Sequence, residues 1–167
     1  NIEAALLKIR KRAAPRVIAI CSTGLTETKG DDVDGFLVTL RKRHPELADT
    51  EIIYASTPDY VGGFEDGYKH AVTAIVKTLV KPLPVNAAQV TLLPGSHLTP
   101  ADIDELRDII EAFDLSCIVL PDISGSLDGH IPPDWRGTTL GGTTLEQIRA
   151  AGASALTIGV GEQTREA

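Results

Sequence analysis

Short runs of aliphatic and β-branched residues alternate along this chain with stretches whose apolar residues recur every three to four positions, and that alternation leaves few folds open. Residues 17–21, 52–55, 90–93, 117–120 and 155–160 have the length and near-continuous hydrophobicity of strands covered on both faces. A strand that reaches the next strand through a helix pairs with it in parallel by a right-handed crossover. The expected fold is therefore α/β: a three-layer open parallel sheet of about five strands, Rossmann-like or flavodoxin-like, in a single domain over residues 1–167. Strand orders 3-2-1-4-5 and 2-1-3-4-5 both satisfy the pattern.

The intervening stretches carry helix signals of their own. Ile2, Leu6 and Ile9 share one face of a first helix that stops before Pro15. Asp31 or Asp32 caps a second, with Val33, Phe36, Leu37 and Leu40 on its buried side. Tyr68, Val72, Ile75, Val76 and Leu79 line a third, ended by Pro82 and Pro84. Thr99 before Pro100 and Asp102 opens a fourth, whose buried stripe is expected to be Ile103, Leu106, Ile109, Ile110 and Phe113. A capping box at Thr143-Thr144-Leu145-Glu146 predicts the last.

Composition removes several function classes. Basic residues number 16 against 23 acidic ones, giving a net charge of −7, so no phosphate-binding face is available and no nucleic-acid partner is expected. Lys8, Arg10, Lys11, Arg12 and Arg16 read as a solvated helix end, where cations suit the helix dipole. Cys21 and Cys117 form neither a disulfide framework nor a CxxC pattern, so both are expected as separate reduced thiols packed in the core, without metal, in the cytoplasm. No apolar run approaches a membrane span, and no membrane partner is expected. The sequence holds no methionine, and residue 1 reads as the edge of an excised fragment.

Chemistry in such a sheet gathers at the loops after the strands' carboxyl ends. Those loops are 22–30, 56–63, 94–98 and the 22-residue stretch 121–142, and they hold Thr23, Glu27, Asp59, His97, Asp122, Ser124, Asp128 and His130. None contains GxGxxG, GxxxxGK[ST] or GxSxG, so neither a phosphate loop nor a nucleophile elbow is present. Free N–H groups at the helix starts near Asp31 and Thr99 leave an anion-binding module as one reading. His97 and His130 could meet at a metal only with carboxylates completing the set. In the long loop Asp122, Ser124 and Asp128 are expected to bond their own backbone, while Ile131 and Trp135 either tuck against the domain or anchor a partner.

Four segments carry a family resemblance: STGLTETKGDD, STPDYVGGFEDGY, LTPADIDELRDIIEAF and LPDISGSLDGH. Together they resemble the N subunits of the scaffold that assembles the nitrogenase iron–molybdenum cofactor, within the nitrogenase component 1 family. The resemblance implies a fragment of a longer chain of three related α/β domains, from a cytoplasmic nitrogen-fixation protein in a heterotetramer with a homologous E subunit. The parent complex would hold an iron–sulfur cluster and the iron–molybdenum cofactor precursor, and mature the latter. It also implies departures from the catalytic β subunit: Gly24 stands at the cluster cysteine of a TTCMAE-like motif, and Asp59 at the serine of a TPSF-like motif. The fragment is thus expected to bind no cofactor by itself and to have no catalytic residue, with Gly24 and Asp59 at the cluster edge. Thr23, Glu27, Asp59, Asp122, Ser124, Asp128, His130 and Trp135 are the expected partner contacts. The alternative is a domain of a nitrogenase-like or protochlorophyllide-reductase-like oxidoreductase, with Asp59, Asp122 or His130 as proton donor.

Overall fold

The computed structural model describes residues 2–126, 129, 131, 133–135 and 141–167. All five expected strands form, each within a few residues of its sequence bounds. The elements run α1 (Ile2–Ala13), β1 (Val17–Cys21), α2 (Gly24–Lys29), α3 (Val33–Arg43), β2 (Glu51–Ala55), α4 (Phe64–Leu79), β3 (Asn86–Pro94), α5 (Pro100–Glu111), β4 (Ser116–Val119), α6 (Leu145–Ala150) and β5 (Ser154–Val160). Every strand pairing is parallel, and helices flank the strands, so the fold is open parallel α/β. Two compact units divide the chain, residues 1–78 and 79–167.

In the first unit β1 lies beside β2, Val17 opposite Glu51 and Cys21 opposite Ala55. Its core joins Leu6 of α1, Ile18 of β1, Leu37 and Leu40 of α3, Leu47 and Ile52. Leu40 and Leu47 are wholly inaccessible. Asp32 caps α3, its carboxylate accepting from the Gly35 amide at 2.9 Å, which satisfies one of the free N–H groups at the helix start.

In the second unit the order is β4-β3-β5. This corrects both expected orders, because β5 lies beside β3 and not beside β4. The reason lies in side chains no hydrophobic pattern reveals. Gln89 Nε2 donates to Ser154 Oγ at 2.9 Å and to the Ala150 carbonyl at 2.8 Å, and Thr91 Oγ1 lies 2.8 Å from Ser154 Oγ. These bonds fasten the start of β5 to one edge of β3, whose other edge pairs with β4. Val90, Leu92, Ile103, Ile110 and Val119 form the core beneath.

Four finer expectations are corrected. Ile109 and Phe113 are exposed, at 47% and 74%. Ile109 sits about 100° round the helix from Ile110, off the line through Ile103, and Phe113 follows the last turn of α5. Cys21 is exposed at the end of β1 rather than packed. Residues 24–29, read as loop, fold into the short helix α2. The last helix is capped one residue later than expected, with Thr144 and Gln147 forming the box at 2.8 to 3.2 Å.

Candidate functional site at the β1–β2 edge

Beyond the carboxyl ends of β1 and β2 the chain builds a polar cluster around one carboxylate. The loops are first laced together by backbone: Ser22 N donates to Ala55 O at 3.1 Å. Thr57 N donates to Ser22 Oγ, and Thr57 Oγ1 to Ser22 O, each at 2.9 Å. Thr23 then caps α2 through a Thr23–Thr26 capping box, with Thr23 N donating to Thr26 Oγ1 at 2.9 Å. That turn brings Glu27 over the strand ends.

Glu27 Oε1 accepts from Tyr54 Oη and from Ser56 Oγ, both at 2.8 Å. The Ser22 hydroxyl, then Ser56 and Tyr54, hold the Glu27 carboxyl below its ordinary pKa, because each stabilises the ionised form. Burial, and then the bond to Glu27, push the Tyr54 phenol up. His70 of α4 completes the arrangement, its Nδ1 2.8 Å from the Ser56 carbonyl oxygen. Of this network only Glu27 was picked out from sequence. Ser22, Tyr54, Ser56 and His70 carry no catalytic motif; the register of β1 on β2 brings Ser22, Tyr54 and Ser56 together, and α4 adds His70.

Beside this cluster Gly24 and Asp59 fit each other. A Cβ at Gly24 would overlap Asp59 Oδ1 and approach Tyr60 Cδ1 to 2.9 Å, so the Asp59 carboxylate and the Tyr60 ring occupy the space any side chain at position 24 would need. Gly24→Cys should therefore be accepted only by turning Asp59 and Tyr60 outward, at a cost of about 1 to 2 kcal/mol, and Asp59→Ser in the same chain should return most of that loss. Urea denaturation of the two single variants and the double variant measures the coupling, and strictly additive effects would contradict it. Around the notch Leu25, Tyr60, Val61 and Phe64 are exposed at 84%, 61%, 53% and 78%, an apolar surface that the sequence reading missed because these residues lie in or beside polar turns.

The other expected site residues lie in the second unit. Asp122 and Ser124 do bond locally: Asp122 Oδ1 accepts from Ser124 N at 3.0 Å and from Ser124 Oγ at 2.6 Å. Asp122 Oδ2 accepts from Arg107 of α5 at 2.8 Å, so both oxygens are engaged, which leaves Asp122 poorly placed as a proton donor. Trp135 and Ile131 are exposed at 91% and 86%. Asp128 and His130 lie outside the described residues, as does any pairing of His130 with His97. The two anion-binding candidates are already occupied: Asp32 caps α3, and Asp102 accepts from Thr99 N and Oγ1 at 2.8 and 2.7 Å. Elsewhere in the first unit a cavity of about 490 Å³ is lined by Ile2, Thr26, Lys29, Asp31, Asp32, Val33 and Phe36.

The family model of nitrogenase component 1 type oxidoreductases matches residues 1–167. The chain belongs to that family. Within it the chain is similar over its whole length to proteins called nitrogenase iron-molybdenum cofactor biosynthesis protein NifN. It is 46% identical to that of Bradyrhizobium diazoefficiens, covering all of this chain and 36% of the relative. For Nostoc sp. the figures are 45%, with 38% of the relative covered, and for Rhodobacter capsulatus 49%, with 37% covered. The chain thus spans a little over a third of these NifN proteins. Its fold also matches nitrogenase Cp1 solved at pH 6.5, with a TM-score of 0.84 at 31% identity over 93% of this chain and 34% of that one.

Component 1 relatives raise the question whether the residues at this edge fit an iron–sulfur cluster. Iron–sulfur clusters are held by several thiolates, whereas the notch presents a glycine filled by a carboxylate and is bordered by hydroxyls and Glu27, with the single exposed thiol of Cys21 at the end of β1. These residues do not fit such a cluster as ligands. Among the described residues no three His, Cys, Asp or Glu side chains converge to hold a metal ion, and no helix is long and apolar enough to cross a membrane.

Proposed function

We propose that this chain is a domain of a NifN-type scaffold subunit, cytoplasmic in location, that pairs with a homologous E subunit in a heterotetramer to hold and mature the iron–molybdenum cofactor precursor. In this reading the precursor is cargo of the assembled complex, and the domain's task is to present a partner surface that does not ligate it. The observation that carries the reading is the edge around Gly24: Leu25, Tyr60, Val61 and Phe64 exposed together beside a notch closed by Asp59. Large exposed apolar side chains that gather at one edge mark contact sites on soluble proteins. Aromatic residues are the side chains that most often dominate binding once buried.

Glu27 has a structural part in this scheme. By gathering three hydroxyls it fixes α2 against the β2 end, and so sets the position of Leu25 on the same helix. Thr23 and Asp59 shape the same edge, while Asp122, Ser124, Asp128, His130 and Trp135 are assigned to a second contact area in the long loop. The similarity to NifN proteins supports assigning the partner as a component 1 homologue.

Co-expression of the full-length chain with the E subunit tests the proposal. Wild type should copurify as a stable iron-containing complex. Phe64→Asp with Leu25→Asp should lower the yield of complex by about tenfold or more, since two desolvated anchors are each worth about 1 to 2 kcal/mol or more. Copurification unaffected by the pair of aspartates would contradict the assignment of this edge.

A further inference from the structure

Helix α1 is attached to the first unit by the apolar pair Leu6 and Leu7, a strained joint and a charged clasp. Leu6, only 2% exposed, seats among Ile18, Leu37, Leu40, Leu47 and Ile52. At the joint to β1, Ala14 has φ of 45°, a left-handed conformation that side-chain-bearing residues adopt only at an energetic cost. The clasp is His44, at the end of α3. Its Nε2 lies 2.7 Å from Glu3 Oε1 on the first turn of α1, and its Nδ1 lies 3.0 Å from Glu46 Oε1.

Two carboxylates facing the two ring nitrogens of one histidine require two N–H donors, which only the imidazolium has. The ring is 20% exposed and Glu3 25%, so water competes only partly for these bonds. The charged groups that face the clasp are Glu3 from α1, Glu46 from the turn after α3, and Arg43 of α3, whose guanidinium lies 3.5 Å from the same Glu3 oxygen. Arg10 of α1 reaches the Glu46 carbonyl at 3.1 Å and adds a neutral-acceptor bond to the same corner.

We propose that α1 is a pH-dependent latch, closed by the His44 imidazolium bridging Glu3 and Glu46 and loosened when that ring loses its proton. The bond to Glu3, then that to Glu46, raise the His44 pKa above its ordinary value. A raised histidine contributes fully below the ordinary imidazole value of about 6.5, and its contribution fades as pH climbs through the raised folded value. Glu46 is lowered, first by its own backbone N–H and then by His44, so its contribution is present above the ordinary carboxyl range and lost on acidification. The latch is therefore tightest in mildly acidic solution and opens toward the alkaline side. Opening uncovers the Leu6 seat on Leu37 and Leu40.

Hydrogen exchange of the full-length chain, read by mass spectrometry as protection after correction for intrinsic rates, tests this at about pH 6 and about pH 9. In wild type, peptides covering residues 2–13 should lose about threefold or more of their protection at the higher pH, while β3 peptides stay constant. His44→Gln should leave α1 weakly protected at both values, and His44→Arg, charged throughout, should remove the pH dependence. Equal α1 protection at the two pH values in wild type, or the same pH dependence in His44→Gln, would overturn the proposal.

Discussion

Gly152→Ala should lower the unfolding free energy of the chain by about 3 kcal/mol or more, seen as a shift of the urea midpoint at constant slope. Gly152 follows α6, where a Cβ would overlap the carbonyl oxygen of Lys81 and come within 2.8 Å of its carbon. The obstacle is backbone, which cannot rotate aside as a side chain can. Both sides of the contact are also fixed. Lys81 N bonds the Arg149 carbonyl at 3.5 Å, and Gln89 holds the Ala150 carbonyl on the other flank. Relief would require moving the turn that delivers β5 to β3, so the loss should extend to the β3–β5 pairing. Gly63→Ala, with open space around its Cβ position, is the matched control and should change stability by less than about 1 kcal/mol. Comparable effects of the two substitutions would contradict this account.

Arg107→Ala should cost about 2 to 4 kcal/mol, because it strands the Asp122 carboxylate in a site where that side chain is 10% exposed. The arginine also reaches Asp104 at 3.0 Å, but Asp104 is 54% exposed and that pair is worth little. Asp104→Ala should therefore change stability by less than about 0.5 kcal/mol, and Arg107→Ala combined with Asp122→Ala should cost less than the two single losses added. The same ion pair ties the start of the long loop to α5, so limited proteolysis after residue 122 should accelerate in Arg107→Ala. A stability unchanged by Arg107→Ala would mean that the loop is held by other contacts.

The fold class was legible because β1 to β5 are apolar runs, α3 and α5 carry both caps and apolar stripes, and α4 carries a stripe closed by prolines. Strand order was not. Apolar parallel strands look alike in sequence, and what seats β5 beside β3 is Ser154 bonding Gln89 and Thr91, residue types with no directional signal. At the site, Gly24, Glu27 and Asp59 stood out because they follow strand ends or depart from a family motif. Tyr54 and Ser56 did not, since both belong to an ordinary β2 and its exit, and only the register with β1 brings them to Glu27. Helix α2 was missed because its Thr23–Thr26 box replaces the usual acidic residue with a second threonine. Ile109 and Phe113 were misassigned for a geometric reason, a stripe drawn wider than the face that α5 presents to β3 and β4.

The scaffold reading rests on the edge formed by residues 22–30 and 56–64, and hydrogen exchange footprinting of the full-length chain, alone and bound to its E subunit, tests it most directly. Complex formation should slow exchange in peptides spanning those two segments by about tenfold or more, centred on Leu25, Tyr60 and Phe64, while the paired β1 and β2 strands change little. A complex that forms stably yet leaves both segments exchanging as fast as in the free chain would contradict the placement of the partner surface at this edge.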